Sequence, residues 1–233
     1  MSDTSWYLGF GASPELYELN NQFRDAVDNG CSDKERSERL YKLISKFIDE
    51  CLDQYFLSPV ERVKLNKVGQ KIVSGGVSAM KKTLHVTFKQ IIKKLSREDI
   101  DKLAAYINDM LMPLRESKTY PTYVAVGISD DLRHRLASAV DEGKSKGVDT
   151  ASKEYAEALC ELVDVAVECY MGKPLQMIGL GRIMNKVATV AIETVRGAAQ
   201  TVIRKVIPAM SDGEILRFFE FSESIIYPKP ATA

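Results

Sequence analysis

Apolar positions recur every three or four residues through most of the chain, which is the pattern of amphipathic helices. Leu16, Leu19, Phe23 and Val27 form the first such stripe, closed by Asn29-Gly30. Ser13-Pro14-Glu15 precedes it and reads as an N-cap followed by proline in the first turn. Ser32 and Glu35 have the spacing of a capping box, and Leu40, Ile44, Phe47, Ile48, Cys51, Leu52 and Tyr55 follow on one face. Ser58 and Glu61 make a second box around Pro59. It predicts a helix to Ser74, interrupted at Gly75-Gly76, because glycine inside a helix costs about 1 kcal/mol. Residues 77–95 are the next predicted helix. Ser96 to Asp99 caps a fifth, carrying Ile100, Leu103, Ala104, Ile107 and Leu111.

The same pattern returns 115 residues later. Between residues 55 and 113 this offset matches eight identities: Tyr55, Pro59, Leu65, Lys71, Ile92, Ser96, Ile100 and Pro113. About three are expected by chance, and such a period is sought before other features are read. The second set has a stripe from about Ala151 through Leu159, Leu162, Val163, Ala166, Val167 and Tyr170. Its polar face is acidic, with Glu154, Glu157, Glu161, Asp164 and Glu168. AVDEG (139–143) echoes AVDNG (26–30), with a shrinking offset that predicts a helix one turn shorter than the first. Val190-Ala191 stand where Gly75-Gly76 do, which predicts one long helix to Pro208. The last helix opens at Ser211 and carries Ile215, Phe218, Phe219 and Ile226. The expected architecture is all-α: a helical bundle of two tandem, related five-helix halves in a pseudo-twofold arrangement, residues 1–118 and 119–233, packed as one unit. Residues 113–122 read as the linker and 228–233 as a frayed tail. Residues 6–12 and 123–129 are apolar and glycine-broken; short paired strands and extended leads into the caps fit them equally.

Composition narrows the class without naming a function. Hydrophobic residues make up 45 %, ordinary for a globular chain, and the net charge is zero, so no global pull toward polyanions exists. No cleavable signal peptide and no transmembrane stretch is read, so the expected location is cytoplasmic, with signal-less export as the alternative. Cys31, Cys51, Cys160 and Cys169 form no C-x-x-C pair, and only His85 and His134 remain to complete a zinc site. Buried, reduced thiols are the expectation, with no metal and no cofactor.

Charge is sorted along the chain. Residues 60–97 hold 10 basic and 1 acidic side chains, whereas 1–59 hold 6 and 11. Lys81, His85, Lys89 and Lys93 stand four apart and share one helix face. Arg196 and Arg204 occupy the positions matching Lys81 and Lys89. These six are the candidate anion-binding residues, for phosphates or anionic lipid. The competing reading is a solvated face, or one packed against the protein's own acidic helices. G9-F-G11-A-S13 before a helix resembles a phosphate-cradling turn but has Pro14 where the last glycine of G-x-G-x-x-G belongs. Neither histidine has a nucleophile beside it, and no H-E-x-x-H motif occurs. No catalytic residue is assigned. The favoured expectation is a non-enzymatic protein that docks a partner protein or acts as a scaffold. The alternative is nucleic-acid or anionic-membrane binding through residues 60–97.

Overall fold

A computed structural model describes residues 5–230. The protein is mostly helical, with one small sheet. β1 (Trp6–Gly11) leads to α1 (Pro14–Asp28), α2 (Asp33–Leu52), a π-helical turn (Asp53–Leu57), α3 (Ser58–Val63), α4 (Lys67–Ile92), α5 (Arg97–Asp109) and β2 (Leu111–Met112). Then come β3 (Tyr123–Ile128), α6 (Asp130–Lys146), α7 (Val148–Val167), a π-helical turn (Glu168–Gly172), α8 (Lys173–Met177), α9 (Arg182–Val206), a 3₁₀ turn (Ile207–Ala209), α10 (Asp212–Ser224) and β4 (Ile226–Pro228).

Several boundaries follow from local chemistry. Ser13 Oγ accepts from Leu16 N at 3.1 Å with Pro14 in the first turn. Ser96 and Ser211 close reciprocal capping boxes with Asp99 and Glu214. Ser32 also caps, but Glu35 turns to Arg39 instead of closing a box. Ser58 does not cap at all. The chain arrives there still helical from α2, because the π-helical turn opens the ladder beside Pro59, which has no N–H to donate. Pro174 follows the second π-helical turn in the same way.

Several expectations are corrected. The helix from Ser58 ends at Val63, where Lys64 turns left-handed (φ 55°), and Asn66 caps a new helix, its side chain accepting from Gly69 N. α4 then runs unbroken through Gly75-Gly76. Gly76 is a packing glycine: a Cβ there would collide with Val202 of α9, so its absence lets the two long helices approach. α6 has 17 residues against 15 in α1, so it is longer, not one turn shorter. It passes through Gly143, where a Cβ would meet Phe219 at 2.6 Å. Finally, Ile226 lies in β4, beyond the last helix, and Pro228 closes that strand rather than starting a tail; residues 231–233 lie outside the described residues.

The two apolar leads are strands, and they pair with each other. The sheet order is β2-β3-β1-β4, with every described pairing antiparallel. Gly9 faces Ala125 at the centre, Leu111 faces Val124 on one flank and Ile226 faces Leu8 on the other. β2 therefore adds to a strand from the far part of the sequence, and β4 to one from the near part. Alternation sends Leu8, Phe10, Val124, Val126 and Ile128 into the helical core. Tyr123, Ala125 and Tyr227 point the other way, under Leu114 and Tyr120. The segment 113–122 is thus a cover for the sheet as well as a connection. Arg115 lies over Tyr123 and Tyr227 at 5.6 and 5.3 Å. Gly9 and Gly11 belong to this packing: a Cβ at Gly11 would enter the Tyr120 ring, which replaces the phosphate-turn reading.

Candidate functional site: an apolar cavity and its tyrosine pair

The side chains of α2, α4, α7 and α9 do not fill the space they enclose. A cavity of about 180 Å³ remains, bounded by Phe47, Cys51, Met80, Ala166, Ala199 and Val202 among others. Protein interiors seldom leave voids larger than a water molecule. Cys51 and Tyr55 lie deep in the chain and still keep free surface, because that surface faces the cavity. A smaller hollow of about 60 Å³ lies between α1, α2, α4 and α5. The two share Ile44, Phe47, Phe88 and Tyr170 as walls.

The π-helical turns carry the tyrosines of this wall. Tyr55 and Tyr170, 115 residues apart, join hydroxyl to hydroxyl at 3.1 Å. The Tyr55 ring meets Phe10 edge-on at 5.5 Å, and Tyr170 meets Phe47 at 5.2 Å. Burial pushes both phenols well above their ordinary range, and the neighbouring phenol adds to this for Tyr55. Burial alone pushes the Cys51 thiol up to about 12. All three groups are therefore neutral at physiological pH. One hydroxyl of the pair donates to the other, which leaves the second proton for an acceptor. The site is an apolar chamber with one weakly polar point; its walls supply no charge.

The candidate anion-binding residues lie elsewhere and are not gathered at one place. Lys81 Nζ and His85 Nε2 both contact Asp49 Oδ1 at 2.9 Å. Burial opposes ionisation of Asp49, but hydrogen bonds from His85 and Lys81 outweigh it and hold its carboxyl below the usual range. Arg196 approaches Asp164 at 3.1 Å, and Gln200 donates to the same carboxylate at 2.8 Å. These contacts tie α2 to α4 and α7 to α9. Lys89 reaches over the Tyr41 ring at 6.0 Å. Lys93 and Arg204 are exposed. Arg204 also draws the Cys160 thiol down, against the stronger upward push of burial. Among the described residues, no group of three or more His, Cys, Asp or Glu is placed to hold a metal ion, and no helix is long and apolar enough to cross a membrane.

Periodicity marked Ile44, Phe47, Cys51 and Tyr55 as one stripe, yet it could not reveal that their shared side is hollow. The repeated Tyr and Pro at 55/59 and 170/174 were the available signal. Comparison with protein-family models, curated proteins and solved structures finds no match for this chain.

Proposed function

We propose that the protein binds a small apolar molecule in the cavity between α2, α4, α7 and α9. The observation that carries this reading is the cavity itself. Its lining is almost wholly apolar, and apolar surface left uncovered forgoes about 25 cal/mol per Å² of burial. An engineered apolar cavity of about 150 Å³ is enough for benzene or xenon. The ligand is neutral, since no charged group faces it and an unpaired buried charge is prohibitive. The π-helical turns support a functional role, as such irregularities concentrate at sites. The role is binding or carriage, without chemistry.

The test is thermal unfolding with a panel of benzene, short alkanes and alkylbenzenes. A ligand selective for the folded state raises Tm with concentration. Ala199→Phe, which fills the cavity, removes the shift. If no apolar compound moves Tm, this reading is wrong.

The recurrence of one element order, and of the Tyr55–Tyr170 contact, supports reading the chain as two related halves about a pseudo-twofold axis near the Gly9–Ala125 pair. Docking of a partner protein is a second reading, favoured by exposed Val68, Ile183 and Val190 at 63 %, 80 % and 63 %. Anion binding rests on narrower ground, with Lys89, Lys93 and Arg204 left to carry it.

A further inference from the structure

Along the cavity, the inward stripe of α7 is better covered at its edges than at its centre. At about 100° per residue, Leu162 and Val167 mark the edges of this stripe, with Val163 and Ala166 between them. Leu162 and Val167 are buried, whereas Val163 and Ala166 keep free surface although both pack against the core. An amphipathic helix that packs against a filled core is most buried at the middle of its apolar face. α2 has the same inversion: buried Leu43 and Ile48 flank Ile44, Phe47 and Cys51, which are only partly buried. All five central residues line the cavity.

The walls also differ in bulk. α2 supplies Phe47, Ile48 and Cys51; the residues 115 further on, in α7, are Leu162, Val163 and Ala166, each smaller. α4 supplies Met80, Leu84 and Phe88, and the matching residues of α9 are Val195, Ala199 and Ile203, again each smaller. We infer that Ala166 and Val163 are the specificity-determining residues of the cavity and limit its ligand to a single apolar ring with at most a methyl-sized substituent. Ala166 is the smallest side chain at the centre of either stripe, so a ligand gains room there first. An apolar cavity of about 150 Å³ accepts benzene. The space of about 180 Å³ exceeds that by roughly 30 Å³, the share of one water molecule in the liquid and a methyl-sized increment. The inference rests on the cavity being a ligand site; it adds the size of the ligand and the residues that set it.

The experiment titrates benzene and toluene against the full-length protein by NMR, unaltered and as Ala166→Cys, which adds one heavy atom and installs the residue of position 51. Burial of its extra carbon makes toluene bind the unaltered protein about fourfold more tightly than benzene. In Ala166→Cys that preference is lost, while benzene stays within about twofold. A toluene preference that survives the substitution, or is missing from the unaltered protein, overturns the inference and leaves the central cavity standing. So does a variant that weakens both ligands alike. If neither compound binds the unaltered protein, both proposals fail. Should Ala166→Cys not fold, Val163→Ile decides by the same ratio, since it adds one carbon at the neighbouring central position. Loss of the toluene preference is again expected, and its persistence overturns the inference.

Discussion

The interior around α1 and α2 and the interior around α6 and α7 solve the same packing problem differently. Leu40 faces the hollow in the first; 115 residues on, Tyr155 occupies the second. Its ring lies 4.7 Å from Phe219, and its hydroxyl donates to Ser222 at 2.6 Å. Ala104 and buried Asn20 stand against Phe219 and Leu136. Counted from the helix N-caps Ser13 and Ser129, bulk is exchanged rather than simply added, since Phe23 in α1 is set against Ala139 in α6. In one region the central ring is packed and its hydroxyl is hydrogen-bonded. The other holds a hollow and an amide oxygen without a hydrogen-bond partner. Both regions follow a strand with two helices and a π-helical turn.

That difference can be broken by substitution. Tyr155→Leu gives the second region the first region's residue. It removes the ring contacts and leaves Ser222 without its donor, and is expected to cost about 3–4 kcal/mol in chemical denaturation. A loss under 1 kcal/mol would mean that Tyr155 is not the filler. Adjacent glycines of α4 supply a sharper contrast. Gly76→Val collides with Val202 and is expected to destabilise by about 1–3 kcal/mol. Gly75→Ala meets nothing within 4 Å and is expected to stabilise by up to about 1 kcal/mol. Opposite signs in the two melting curves are the outcome that matters.

A third contrast is acidic. Burial raises the pKa of Glu214, but Ser211 and Asn66 more than offset it through hydrogen bonds, bringing it down to about 2 from 4.5. Asp99 is also lowered, chiefly by the Ser96 hydroxyl and then by Gly179 N. Each carboxylate reaches across to the approach of a long helix, Glu214 to Asn66 before α4 and Asp99 to Gly179 before α9. A depressed carboxylate stabilises the fold above its unfolded pKa, and the contribution is lost as pH falls through the folded one. Glu214→Gln is therefore expected to be less stable than the unaltered protein at pH 7, with the gap closing between about pH 4.5 and pH 2. A gap independent of pH in urea titrations would refute the assignment. The smallest effect belongs to Lys81→Glu. Its ion pair with Asp49 is half-exposed, so the loss should stay below about 1 kcal/mol and shrink further in salt.

The helical class and most caps were legible because they depend on short-range chemistry. Ser96 and Ser211 announce themselves by type and by the acid three residues on, and Ser13 by type and by the proline that follows it. The glycine pair misled for the opposite reason: what keeps Gly76 small is Val202, a residue far away in sequence. The break after Val63 carries no glycine or proline, and only Asn66 hinted at it, whereas Gly179 and Gly181 lie where α8 gives way to α9. The strands were left open because six apolar, glycine-broken residues fit a lead as well as a strand until the partner is known. The ion pairs of Lys81 and Arg196 depended on which helix lay beside them. The cavity was illegible in principle, since a stripe of apolar residues looks the same whether its far side is packed or empty.

The space between α2, α4, α7 and α9 has an almost wholly apolar lining, which suits an apolar ligand better than water. A crystal structure determined under xenon pressure tests it directly, since xenon enters such cavities and not hydrated polar ones. Xenon density is expected between Phe47, Cys51, Ala166 and Ala199, with the Tyr55–Tyr170 hydroxyl contact intact. Ordered waters bonded to those tyrosines in its place, or side chains collapsed to close the space, would contradict it.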